Sequence, residues 1–124
     1  MKKAEYLTKI WHDKIGEHTQ KVNGFISQYF GYTKETEKVK SAQYGKTREI
    51  IFYSITHLRT GLKLVDFDTV KQARNFILRM EQAAFPVSWD KGNIEEKQSK
   101  TVNMFSPNKE KMQAIYNLVR TEES

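Results

Sequence analysis

The sequence predicts an α+β fold: a long N-terminal helix, a β-hairpin, a second helix and a C-terminal helix. Three observations carry this. Apolar residues recur at three- and four-residue steps over residues 3 to 30. β-Branched and aromatic residues cluster over residues 50 to 55. Helical spacing of apolar residues returns after Asp68 and again after Pro107.

In the first segment the stripe is Leu7, Ile10, Trp11, Ile15, His18, Val22, Phe25, Ile26 and Tyr29, with Gly31 as C-cap. Gly16 and Gly24 each cost about 1 kcal/mol relative to Ala in a helix interior. Asn23-Gly24 is also a turn dipeptide, so two shorter helices remain an alternative. The stripe keeps its phase across Gly24, which favours one helix. Residues 32 to 46 are polar and alternate in charge (Lys34, Glu35, Glu37, Lys38, Lys40), the pattern of a solvated loop or a short helix starting at Thr33. Over residues 47 to 67, Ile50 to Ile55 and Leu62 to Val65 read as a hairpin turning near Leu58 to Gly61. The rival is a helix from Thr47 to Thr60 capped by Gly61; the β-forming residues favour strands.

Residues 68 to 84 read as a helix capped by Asp66 or Asp68, with Val70, Ala73, Ile77, Met80 and Ala84 as its buried stripe and Pro86 as its stop. A loop around Trp89 and Gly92 follows, with the charged run Glu95-Glu96-Lys97 and then a short strand from Thr101 to Phe105. Ser106 as N-cap and Pro107 at the first helical position open the last helix, whose stripe is Met112, Ile115, Tyr116 and Val119.

The chain has 124 residues, 38% of them apolar and 29% charged, the size and composition of a single domain (1–124) with one modest core. It contains no cysteine, which removes disulfides, thiolate metal sites and cysteine nucleophiles together. Glu5, Lys9, Asp13 and Lys14 interrupt any apolar leader, and no apolar run is long enough to span a bilayer. The expectation is a soluble, cytoplasmic protein.

Charge is the informative feature. Residues 38 to 79 hold nine Lys or Arg against three acids, which accounts for the whole net charge of +6. A basic middle between balanced ends suits an anionic partner. Within it, Lys and Arg would neutralise phosphates and Tyr44, Phe52 and Tyr53 would stack on bases. The competing reading is that the aromatics are core and the lysines only confer solubility.

The run Phe52-Tyr53-Ser54-Ile55-Thr56, a turn to Gly61, then Leu62-Lys63-Leu64-Val65-Asp66-Phe67-Asp68-Thr69 and a helix with Ala73 resembles AP2-type and phage-integrase arm-type DNA-binding domains. The likeness covers about residues 48 to 84 and lacks the family's usual strand tryptophan and the glycine before Phe67. It implies a small sheet lying in the major groove with a helix behind it. By that analogy, with Lys46 on the approach to the hairpin, the nucleic-acid-facing residues are Lys46, Arg48, Ser54, Arg59 and Lys63.

Catalytic and metal signals are sparse. His12 and His18 are six residues apart, about 240° around a helix, and cannot chelate one ion from one face; His18 reads as a core histidine. No phosphate-binding loop, nucleophile elbow or HExxH sequence is present. Tyr53, His57 and Arg59 on one strand face would suit a small ribonuclease, although such a residue set arises readily by chance. The expectation is therefore a non-enzymatic, nucleic-acid-binding protein without cofactor or metal, with DNA favoured over RNA. The alternative is a protein-binding modulator of a host enzyme, of the kind mobile elements encode, acting on an acidic protein surface. Trp11, Phe25, Tyr29 and Phe30 give the first segment apolar surface that would serve the core, a partner groove or a homodimer seam.

Overall fold

A computed structural model of the chain describes residues 1–12, 14–41, 45–96 and 98–122, without the side chains of Trp11, His12, Gln98, Ser99, Lys100 and Val102. Its centre is a five-stranded antiparallel meander in the order β1 (Lys2–His12), β2 (Gly16–Ile26), β3 (Phe30–Lys40), β4 (Thr47–His57) and β5 (Lys63–Phe67). Three helices follow: α1 (Val70–Gln82), α2 (Gln98–Phe105) and α3 (Lys109–Glu122). The fold is α+β but dominated by strands.

The predicted N-terminal helix is instead the hairpin β1–β2. Its two strands pair over their whole length, from Lys2 opposite Ile26 to His12 opposite Gly16. Thr8, Ile10, Thr19, Val22 and Ile26 are β-branched and lose side-chain freedom in a helix, which favours the pleated alternative. The predicted polar loop is β3, paired in unbroken register with β4 from Phe30 opposite His57 to Lys40 opposite Thr47. The strand from Thr101 to Phe105 is the second half of α2. There Thr101 and Phe105, one helical turn apart, are both buried. The predicted hairpin over 47 to 67 is β4 and β5, with an irregularity between Ile55 and Thr56.

Two layers cover the sheet. On one face, Phe30, Tyr32, Ile55 and Phe67 pack against Ala73, Phe76, Ile77 and Met80 of α1, with Trp89, Phe105 and Val119 completing the core. Full burial of each large side chain contributes about 1.5–3 kcal/mol. The N-cap of α1 is Thr69, whose Oγ1 accepts from the Gln72 N–H at 3.1 Å; neither Asp66 nor Asp68 fills that place. Glu81 of α1 ties down the β2–β3 turn, accepting from the Ser27 hydroxyl and from the Tyr29 N–H. Between α2 and α3 a 3-10 turn (Ser106–Asn108) holds Pro107, with no side chain capping it; Asn108 bonds Val87 through both its carbonyl and its amide, each at 3.1 Å.

On the other face lies hairpin β1–β2. The Tyr6 ring sits over Gly31, where an added Cβ would come within 3.0 Å of it. The Lys9 N–H bonds the Gly61 carbonyl at 2.7 Å. The Thr33 hydroxyl donates to the Asn23 carbonyl at 2.6 Å. At the crossing point a Cβ on Gly24 would overlap the Tyr32 carbonyl oxygen, so only glycine lets β2 pass this close to β3. Consequently β2 and β3 share only the pairs Phe25–Tyr32 and Ile26–Gly31 before they part.

Beyond that fork hairpin β3–β4 continues alone. β5 reaches only as far as Tyr53, and β2 leaves at Tyr32. Residues 34–40 and 47–52 therefore form a free two-stranded ribbon about 20 Å long.

Candidate nucleic-acid interface

The five residues expected to face nucleic acid do not share a surface. Lys46 and Arg48 are exposed at the outer end of the ribbon. Ser54 is 0% exposed, on the sheet face beneath hairpin β1–β2. Arg59 lies in the β4–β5 turn, donating through Nε to the Gly92 carbonyl at 3.3 Å. Lys63 is engaged by Glu35 at 2.7 Å. Arg48 and His57, at the two ends of β4, are about 30 Å apart, which puts Arg59 at the far end of the molecule from the ribbon tip. Tyr44, the expected stacking aromatic, lies outside the described residues.

A different set does converge. Side chains alternate across a strand, so Lys34, Lys38 and Lys40 all lie on the ribbon face that continues the α1 side of the sheet. The cross-strand residues on this face are Tyr53, Glu49 and Thr47. The opposite face carries Glu35 and Glu37 with Arg48. The pleat thus sorts three lysines and one glutamate to one side, two glutamates and one arginine to the other. Lys34, Lys38 and Lys40 are exposed, and none is in an ion pair among the described residues.

The lysine face runs into a cleft at the fork. This cleft, of about 410 Å³, is lined by Asn23, Gly24, Phe25, Tyr32, Thr33, Lys34, Tyr53, Val70 and Arg74. Phe25 and Tyr32 are stacked, with centroids 5.4 Å apart and planes at 20°, while Tyr53 meets Tyr32 edge-on at 6.4 Å. Arg74, from the exposed side of α1, places its guanidinium carbon 5.6 Å from the Phe25 centroid and 5.8 Å from that of Tyr32. Its Nε donates to the Tyr32 hydroxyl at 2.8 Å, which fixes the guanidinium plane over the rings. Among the described residues the lining therefore combines three aromatic rings and two cations with no acid.

His57, the candidate general acid-base group, is 0% exposed. Its Nε2 donates to the Trp89 carbonyl at 2.6 Å, which leaves Nδ1 to accept from the Thr60 hydroxyl at 2.8 Å. Both ring nitrogens serve the core. Burial is the main cause that holds its pKa below the usual imidazole range; the Trp89 bond opposes the shift and the Arg59 cation adds to it. Burial, with Glu35 nearby, likewise pushes the Tyr6 hydroxyl well above the usual phenol range. His18, expected in a helix core, is half-buried on β2, and the His12 side chain lies outside the described residues. Among the described residues no three His, Asp or Glu side chains are grouped to hold a metal ion. No described helix is long and apolar enough to cross a membrane.

That Lys34, Phe25 and Arg74 meet was not legible in the sequence, because they come from three separate elements. A signal did exist: lysines at 34, 38 and 40 have even spacing, which on a strand is one face.

No family model, no curated protein and no solved structure matches the chain. Over residues 48 to 84, β4, β5 and α1 follow one another in order. The sheet face away from α1 is covered at Gly31 by hairpin β1–β2.

Proposed function

We propose that the protein is a non-catalytic nucleic-acid-binding protein whose contact surface is the α1 side of the β3–β4 ribbon. The observation that carries this reading is the sorting of Lys34, Lys38 and Lys40 onto one face that leads, without an intervening acid on β3, to Arg74 and the aromatic cleft. Phosphates run along the lysine row and are neutralised there, with release of their counterions. DNA is the first ligand to test.

The experiment is fluorescence anisotropy with labelled DNA and RNA oligonucleotides across a salt series. Four phosphate-contacting cations give a slope of about −3 in a plot of log affinity against log salt. No binding at low salt ends the proposal. A salt-sensitive partner recovered intact after nuclease treatment transfers the same face to an acidic protein.

A further inference from the structure

We infer that the fork cleft receives one unpaired base, so that the protein binds single-stranded nucleic acid in preference to duplex; this deepens the reading proposed above and rests on it. Three features of the cleft select such a ligand.

The first is size and shape. A cleft of about 410 Å³ falls within the range of small-ligand sites, about 300–1,000 Å³. The Phe25–Tyr32 pair and Tyr53 form a corner, with Tyr53 at 70° to Tyr32. A flat ring laid on one wall therefore presents its edge to the other, the two arrangements aromatic quadrupoles favour.

The second is charge. Lys34 and Arg74 line the cleft, and among the described residues no acid does. Arg74 is held by its Nε–Tyr32 bond, and its two terminal nitrogens carry no hydrogen bond to a described residue. They remain available to a base edge or a phosphate oxygen.

The third is position. The cleft exists because β2 departs from β3 at Gly24, which leaves the edge of β3 uncovered beside Lys34. Lys34 is also the first lysine of the row that continues through Lys38 to Lys40. A strand whose phosphates follow this row delivers its next base to the aromatic corner. In a duplex that base is stacked and paired and has to be flipped out first.

The test uses fluorescence anisotropy with three probes of one length: an oligothymidylate, an abasic strand with the same phosphates, and a duplex. Wild type should bind the oligothymidylate about tenfold tighter than the abasic strand, and also more tightly than the duplex. Phe25→Leu and Arg74→Lys, which keep bulk and charge respectively, should each erase most of that advantage and leave the salt slope within one unit of wild type. Equal binding of oligothymidylate and abasic strand by wild type overturns the cleft inference while the phosphate-binding reading stands, and this needs no variant to fold. A duplex preferred over the single strand overturns it equally. Absence of binding to all three probes at low salt overturns both.

Discussion

Hairpins β1–β2 and β3–β4 each pair eleven-residue strands in full register, yet the first is folded onto the sheet and the second stands clear of it over its outer half. Local pairing is the same in both, so the difference comes from their side chains. Hairpin β1–β2 turns Ala4, Tyr6 and Val22 of one face onto the sheet, and it meets the sheet where Gly24 and Gly31 remove side-chain obstruction. The outer half of β3–β4 has no continuous apolar face. Phe52, Ile50, Ile51 and Val39 are interleaved with seven charged residues from Lys34 to Lys40 and Arg48 to Glu49, so that Phe52 lies opposite Glu35, Ile50 opposite Glu37 and Val39 opposite Arg48. An isolated two-stranded hairpin is marginal in water, and this one is anchored by its buried base from Phe30 to Tyr32 and Ser54 to His57. The comparison teaches that burial is assigned at the fork and that the outer half of the second hairpin is left uncovered.

Substitutions that act on the two hairpins unequally break or sharpen this comparison. The largest effect is expected at the crossing. Gly24→Ala places a methyl group on the Tyr32 carbonyl and should cost about 3 kcal/mol, read as a lower urea midpoint at unchanged m-value. A loss under about 0.5 kcal/mol would mean the crossing is loose.

Next comes acid sensitivity of the anchored base. Because the His57 pKa is lowered in the folded state, the unfolded chain takes up a proton first as pH falls. Stability should be flat above about pH 7 and decline below about pH 6.5 by no more than about 1.4 kcal/mol per pH unit. His57→Gln should flatten that decline over the same interval, whatever its effect at neutral pH.

A smaller effect is expected at the ribbon tip. Gly45 has φ 63° with nothing within 4 Å of an added Cβ, so Gly45→Ala should cost only the left-handed strain, about 1 kcal/mol. Smallest of all, Lys38→Glu with Lys40→Glu should leave the unfolding free energy within about 0.5 kcal/mol of wild type, because neither side chain is in an ion pair among the described residues. Gly24 and Gly45 together separate a packed hairpin from a free one in a single denaturation series.

The second half of the fold was more legible in the sequence than the first. The β4–β5 hairpin, α1 and α3 follow local signals, β-branched runs and apolar residues at helical spacing, although the α1 cap is Thr69 and not the expected Asp66 or Asp68. Residues 3 to 30 misled because apolar side chains fall on both faces of β1 and β2, and a set drawn from two faces can imitate a 3.6-residue stripe. Ile15, placed on that stripe, is exposed in the turn before Gly16. β3 was illegible as a strand because its outer part buries neither face; only its partner β4 makes it one. The positive middle of the chain was visible, but its sorting needed the register. Ser54 and Lys63 are basic-window residues turned to the covered face, whereas Lys34, which lies just outside that window, lines the cleft.

The most direct test of the central claim compares the lysine row of the ribbon with two cations placed elsewhere, Arg48 on its opposite face and Lys63 on β5, at equal change of charge sign. One variant carries Lys38→Glu and Lys40→Glu, the other Arg48→Glu and Lys63→Glu, and both are titrated with the same single-stranded oligonucleotide at low salt. Loss of two phosphate contacts should reduce the salt slope of the first variant by about 1.4 units and weaken its binding at least tenfold, while the second variant stays within threefold of wild type. Equal loss in both variants, or greater loss in the second, would contradict the assignment of binding to the α1 side of the ribbon.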